Sequence, residues 1–120
     1  MKFNKLTPML WTKNLEETIA FYTNILGSTC SEFNENWQWA SLYKDETEIM
    51  LAYPNAHFKD EIGFSGSFYF QVNEVEKLWK ELKNETEIVY DLEVFVWGMK
   101  EFAIKDNNGY ILQFGDNIEK

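Results

Sequence analysis
Two stretches of this chain open in the same way, and that repetition limits the folds available to it more than any other feature. In LTPMLWTKNLEETIAFYTNILG (Leu6 to Gly27) a strand-like run leads to Asn14, with Glu17 three residues on. That is the spacing of a capping box, in which an N-cap side chain and a first-turn acid satisfy the free N–H groups of a helix. Leu15, Ile19, Tyr22 and Leu26 then share one helical face, and Gly27 stands where a helix stops. In SFYFQVNEVEKLWKELKN (Ser67 to Asn84) a second strand-like run leads to Asn73 with Glu76, a second capping box, followed by Val75, Leu78, Trp79 and Leu82 as the apolar face. Three strand-like runs follow each helix. They are Ser28–Asn34, Trp37–Lys44 and Glu46–Tyr53 in the first copy, and Glu87–Glu93, Lys100–Asp106 and Tyr110–Gly115 in the second.

Both copies therefore read βαβββ. The expected class is α+β: two tandem βαβββ modules forming a curved mixed sheet with helices on the outer face. Asp45 and the segment Asp106–Gly109 are the tight turns that fold the last two strands of each copy into a hairpin. Module one is expected over 1–53 and module two over 67–120 of a single 1–120 domain, joined by a linker over 54–66 that carries Pro, Asn, Asp and Gly. A chain of 120 residues holds one such domain, because halves of this size bury too little apolar surface to stand alone.

Alternation sorts the strand faces. Pro8, Leu10 and Thr12 oppose Thr7, Met9 and Trp11; Phe68, Phe70 and Val72 oppose Ser67, Tyr69 and Gln71. Ile49, Leu51 and Tyr53 oppose Glu48, Met50 and Ala52, and Leu112 and Phe114 oppose Ile111 and Gln113. One face of each set is apolar enough to pack a helix. The other is mixed, and a concave site would lie there.

Composition narrows the function. Twenty acidic against 11 basic residues give a formal charge of −9, which repels a polyanion such as DNA and attracts a cationic ligand. No apolar run approaches the about eighteen residues that a membrane span requires. The first residues, MKFNKLTPML, are short and polar for a signal peptide, and Cys30 is the single cysteine, so a cytoplasmic, reducing compartment is expected. Aromatic residues make up 18% of the chain, with five Trp, more than a small core takes up, so some are expected to line a surface groove.

Duplicated βαβββ copies with LEETIAFYTNILG in the first helix and EFAIKDNNGYILQF at the end resemble the vicinal oxygen chelate superfamily of glyoxalase I, extradiol dioxygenases and bleomycin-resistance proteins. WGMKEFAIKD (Trp97 to Asp106) is most similar to the Trp-Gly signature of the bleomycin-resistance proteins, and WASLYKDETEIMLAY (Trp39 to Tyr53) to their middle strands. The family's usual Asp-Pro before the last turn is Asp106-Asn107 here.

The resemblance implies where a divalent ion would be held in a catalytic member: by His, Glu or Gln on the first, fourth, fifth and eighth strands. Measured from each capping box and closing turn, those positions are Thr7, Met50, Ser67 and Gln113. A neutral hydroxyl binds weakly, a thioether prefers soft metals, and Gln113 alone cannot hold an ion. No metal or other cofactor is expected, and no catalytic residue is assigned. The lone His57 falls in the linker, off every candidate strand, and Cys30 reads as a half-buried structural thiol.

What the resemblance implies instead is a groove at the interface of a homodimer, where flat rings stack between an aromatic of the third strand, Trp39, and the signature Trp97. Gly98 would let the backbone turn so that the indole lies against the groove wall. Trp37 and Tyr43 share the Trp39 face by the period of two, and Glu48 and Glu101 lie near it by alternation, where they could meet a cationic ligand; cross-strand packing is the commoner role for the two aromatics, and a solvated face for each glutamate alone. The expected function is metal-independent sequestration of a planar cationic ligand, bleomycin-like, with antibiotic resistance as its consequence. A glyoxalase- or dioxygenase-like enzyme with a degenerate metal site, and a dimer serving an unrelated metabolite, remain as alternatives, as does pairing of modules within one chain or across the dimer.

Overall fold
A computed structural model of the chain describes residues 1–57, 61 and 63–118; residues 58–60 and 62 of the expected linker, and 119–120 of the second module, lie outside the described residues. The element order is β1 (Met9–Trp11), α1 (Leu15–Ala20), β2 (Thr29–Asn34), β3 (Trp39–Lys44), β4 (Thr47–Ala52), β5 (Ser67–Gln71), α2 (Val75–Leu82), β6 (Glu87–Val94), β7 (Met99–Lys105) and β8 (Ile111–Asn117). The βαβββ reading holds in both copies, and the chain divides into unit 1, Met1–Ile62, and unit 2, Gly63–Lys120.

Unit 1 is a four-stranded mixed sheet in the order β1-β4-β3-β2, with β1 parallel to β4 and the other pairs antiparallel. Its core lies on the face that α1 covers, where Leu10, Leu15, Tyr22, Ala40, Leu42, Ile49 and Leu51 are all buried. Burying each of the larger aliphatic side chains contributes about 1.5–3 kcal/mol relative to exposure. Two threonines enter this core at no polar deficit, because Thr12 Oγ1 and Thr18 Oγ1 lie 2.8 Å apart and the Thr12 oxygen also accepts from the Asn14 backbone N–H at 3.1 Å.

The first capping box forms. Asn14 Oδ1 accepts the Glu17 backbone N–H at 3.0 Å, and Asn14 Nδ2 donates back to the Glu17 carboxylate at 2.9 Å. After Ala20 the helix widens into a π turn, Phe21–Ile25. The Thr23 hydroxyl donates to the Ile19 carbonyl at 2.9 Å, competing for the oxygen that the α-helical N–H would use. Gly27 then ends the helix at φ 77°, and Ser28 N–H closes on the Tyr22 carbonyl at 2.8 Å.

Unit 2 repeats the topology as β5-β8-β7-β6, with β5 parallel to β8. Its core is aromatic where that of unit 1 is aliphatic: Phe102 packs on Trp79 of α2 at 5.1 Å and on Phe114 at 5.2 Å, and Phe70 stacks on Phe114 at 5.4 Å. The second capping box is not formed, against expectation. Glu74, not Asn73, precedes the helix, in the left-handed region at φ 58° and with no side-chain cap, and Glu76 turns away to pair with Lys100 at 2.7 Å. An ion pair with β7 has taken the carboxylate that the box required.

Both expected hairpin turns are present. Asp45 takes φ 52° between the Lys44–Thr47 pair. In the closing turn Asp106 Oδ1 accepts from the Asn108 and Tyr110 backbone N–H groups, both at 2.9 Å, and Gly109 takes φ 94°, so Asp106-Asn107 serves without a proline.

Candidate functional site
In each unit the sheet face opposite the helix carries the polar and aromatic residues, and the two faces are built differently. On unit 1, Ser41 and Tyr43 alternate with the buried Ala40 and Leu42. Trp39 begins the same strand and donates its indole N–H to Met50 Sδ at 3.3 Å. Glu48 forms an ion pair with Lys5 and accepts from the hydroxyls of Ser41 at 3.3 Å and Thr7 at 3.4 Å. The hydrogen bond from Lys5, backed by its charge and by the two hydroxyls, holds the Glu48 carboxyl below the usual carboxylate range despite partial burial. Glu48 is thus already supplied with a cation from its own chain.

Trp37 departs from the expected arrangement. It lies in the turn before β3, where its backbone N–H donates to Asn34 Oδ1 at 3.0 Å, so it does not share a strand face with Trp39 and Tyr43. The side chain is 78% exposed. The turn is closed by Gln38 in the left-handed region at φ 52°, which ends the period of two on which the grouping relied.

On unit 2, Glu101 is central. It is 2% exposed, not solvated, and sits on β7 beside Phe102, Ala103 and Ile104, each fully buried. The Tyr69 phenol donates to its Oε2. Burial first, then the hydrogen bond to Glu101 and its charge, push the Tyr69 phenol well above the usual tyrosine range. Tyr90 is raised for the same reasons, burial foremost, while a hydrogen bond from Gln113 works the other way. Ser67 Oγ donates to Gln113 Oε1 at 2.5 Å, and Gln113 Nε2 donates to the Tyr90 hydroxyl at 2.9 Å. The result is two hydrogen-bonded groups on one face, Ser67–Gln113–Tyr90 and Tyr69–Glu101.

Two backbone features make these contacts possible. Ile88 pairs with Ile104 but Tyr90 pairs with Ala103, so an extra residue on β6 carries Tyr90 onto the face of Ala103 and Gln113. Gly115 lies opposite Glu101 on β8, and a Cβ built there would stand 2.0 Å from the Tyr69 hydroxyl. Glycine in that strand interior lets the phenol cross β8 to reach the carboxylate.

Trp97 occupies the β6–β7 turn, which the Gly98 N–H closes on the Phe95 carbonyl at 3.0 Å with Gly98 at φ 85°. Its indole is 61% exposed and stacks on Phe95 with centroids 4.7 Å apart and planes within 10°. Phe95 in turn meets Tyr90 edge-on at 5.6 Å. The aromatic surface therefore runs from Trp97 through Phe95 to Tyr90 within unit 2.

The four positions where catalytic relatives would hold an ion are occupied by side chains turned to other partners. Thr7 donates to Glu48, Met50 accepts from Trp39, and Ser67 and Gln113 bond each other. Two hydroxyls, a thioether and an amide do not fit a divalent ion. Among the described residues there is also no grouping of three or more His, Cys, Asp or Glu able to hold one. His57 is exposed, and Cys30 is half-buried with its thiol 3.5 Å from the Glu32 carbonyl.

Sequence reading missed Tyr69, Tyr90, Phe95 and Gly115 as site residues. Gly115, inside a strand where glycine is unfavourable, is the signal that marked a close approach. A separate open depression of about 580 Å³ lies against Glu74 at the N-cap of α2, Lys77 and Lys80 within that helix, and Lys100 and Asp116 of the sheet. It contains none of the aromatic wall, and its charges answer one another through the Lys100–Glu76 pair.

This arrangement of strands and helices is one that many known structures share. A protein of unknown function from Agrobacterium tumefaciens superposes with a TM-score of 0.80 at 17% identity, covering 98% of this chain and 96% of the other. An integron cassette protein from the mobile metagenome of the Halifax Harbour sewage outfall gives 0.77 at 23% identity, covering 95% and 99%. A glyoxalase/bleomycin resistance protein/dioxygenase from Nocardioides gives 0.76 at 18% identity, covering 99% and 87%. These likenesses define the fold class alone. No curated protein matches the sequence. The family model of the Glyoxalase/Bleomycin resistance protein/Dioxygenase superfamily matches residues 3–114, and the chain belongs to that superfamily. Among the described residues no helix is long and apolar enough to cross a membrane.

Proposed function
We propose that this chain is a metal-independent binding protein of the bleomycin-resistance type, which sequesters a planar, cationic aromatic molecule without making or breaking a bond. The observation that carries the reading is Trp97, a 61% exposed indole fixed by its stack on Phe95 and by the turn at Gly98, with a face left for a flat ring. A rigid exposed aromatic binds a ring with little loss of side-chain freedom. In this proposal two copies pair, Trp39 supplies a second stacking surface, and Tyr43 extends it. The donor chemistry at Thr7, Met50, Ser67 and Gln113 supports binding over the metal-dependent lyase or dioxygenase chemistry of other superfamily members.

Calorimetric titration with bleomycin tests the reading. Trp97→Ala and Trp39→Ala are each expected to weaken binding by about 1–3 kcal/mol, by analogy with base–aromatic stacking, and the two losses are expected not to add. Failure of the unmutated protein to bind bleomycin sinks that ligand, and binding indifferent to both tryptophans sinks the stacking surfaces. About one Zn, Ni, Fe or Mn per chain after dialysis would favour the enzyme reading, and a monomer by light scattering would remove the shared groove.

A further inference from the structure
Glu101 presents an electrostatic problem that its own chain leaves open. An ionised carboxylate is costly to bury without a countercharge. Among the described residues the lysines in ion pairs are committed elsewhere: Lys5 to Glu48, Lys13 to Glu61, Lys100 to Glu76 and Lys105 to Glu87. Lys100 precedes Glu101 in the strand, yet its ammonium reaches Glu76 on α2. What Glu101 has instead is the Tyr69 phenol, which donates a hydrogen bond to Oε2 and supplies no countercharge.

The surroundings are organised around that charge. Ser67 donates to Gln113 and Gln113 donates to the Tyr90 hydroxyl, while Tyr69 donates to Glu101 on the same face. Gly115 gives Tyr69 the room to lie over it. Tyr69 itself is 44% exposed, so the ring that covers the carboxylate also faces solvent. The outer surface therefore includes a tyrosine ring with a carboxyl group close behind it.

Such a surface discriminates among cations. A hard metal ion requires several oxygen ligands, and here a single carboxyl group is already engaged by the Tyr69 phenol. A weakly hydrated ammonium gains from both the ring quadrupole and the charge beneath it. We propose that the Tyr69–Tyr90–Glu101 face of unit 2 is a recognition site for an organic ammonium group, quaternary or a protonated alkylamine, seated on the tyrosine rings with Glu101 as its counter-charge. The inference rests on the binding-protein reading above and names the group that its ligand must carry.

Choline serves as the probe, and 3,3-dimethylbutan-1-ol, of the same shape without the charge, as the control. Titration of each is followed by the NMR signals of the tyrosine rings. Choline is expected to shift the Tyr69 and Tyr90 signals saturably, and the alcohol at equal concentration to leave them in place. Glu101→Gln retains an oxygen acceptor for the Tyr69 phenol, removes the charge, and is expected to weaken choline binding by about tenfold. Should that variant fail to fold, Tyr69→Leu at a half-exposed position removes the ring and is expected to abolish the shift at Tyr90. Equal binding of choline and the alcohol, or choline binding unchanged by Glu101→Gln or by Tyr69→Leu, overturns the proposal. Choline has no flat ring, so its outcome is separate from that of bleomycin stacking: choline binding with no bleomycin binding defeats the proposed ligand alone, and the reverse defeats this site alone.

Discussion
The two units answer the same question in opposite ways. Each is a βαβββ sheet with one face under a helix, and each opposite face carries a carboxyl side chain. In unit 1, Glu48 meets Lys5 in a pair whose side chains are 32% and 61% exposed, within reach of water and salt. In unit 2, Glu101 is 2% exposed and accepts from the Tyr69 phenol, with no ion pair to it among the described residues. Duplication supplied one scaffold twice. The side chains that settled on it made one face electrostatically closed and the other open to a cation.

That contrast is confined to the faces, and the cores provide the first way to test it. Phe102→Ala in unit 2 is expected to cost about 3–5 kcal/mol and Leu51→Ala in unit 1 about 2–5 kcal/mol, because both positions are fully buried and each truncation leaves a cavity. Urea unfolding measures both. A negligible loss at one site alone would mean that the two units differ in packing as well as in charge.

The second test breaks the open face without touching its charge. Gly115→Ala places a methyl group where the Tyr69 hydroxyl lies, 2.0 Å from the new carbon, and the phenol must leave. Loss of its bond to the buried carboxylate is expected to cost about 1–3 kcal/mol. In a Tyr69→Ala background the same substitution is expected to be nearly neutral, and a double-mutant cycle reads the difference. Additive losses would mean that Gly115 serves the backbone and not Tyr69.

The third test separates the helices. Asn14→Ala removes a formed cap and is expected to cost about 1 kcal/mol, whereas Asn73→Ala removes a residue that caps nothing and is expected to stay within about 0.5 kcal/mol. Equal losses in thermal unfolding would restore the symmetry that the sequence suggests.

The smallest effects are those of pH, and their signs differ. Glu48 and Glu76 are held below the usual carboxylate range by Lys5 and Lys100, so their contribution is present above that range and is lost as pH falls through the folded-state pKa. Both pairs are exposed, so the loss is expected to be slight and to shrink further in salt. Tyr69 and Tyr90 are raised above 10.0, so stability is intact below that pH and falls as pH rises toward their folded-state values. In an ultraviolet titration, Tyr69→Phe is expected to remove one late-ionising phenol from the curve of the unmutated protein. If the late-ionising absorbance is equal in the two proteins, the contact of Tyr69 with Glu101 is not in place.

Much of the fold was readable because the signals are local. Periods of 3.6 and 2 located both helices and all eight strands, and Asp45, Gly27 and Asp106–Gly109 marked turns whose backbone chemistry needs those residues. The errors arose where a distant partner prevailed. Asn73 and Glu76 have the spacing of a capping box, but Lys100 took the carboxylate from across the fold. Trp37 continues the alternation of β3 on paper, but the turn at Gln38 ends the strand before it. The site was less readable still. Trp97 and Gly98 could be singled out by type and adjacency, whereas Tyr69 reaches Glu101 across 32 positions and Tyr90 reaches the same face only through an extra residue in β6. Neither spacing nor alternation encodes such a contact.

The contrast between the two carboxylates is tested most directly by titrating choline into Glu48→Gln and Glu101→Gln side by side, with calorimetry as the readout. The account predicts that Glu48→Gln binds as the unmutated protein does, since Lys5 already neutralises that carboxylate, and that Glu101→Gln binds about tenfold more weakly. Equal weakening in both variants, or a loss confined to Glu48→Gln, would contradict it.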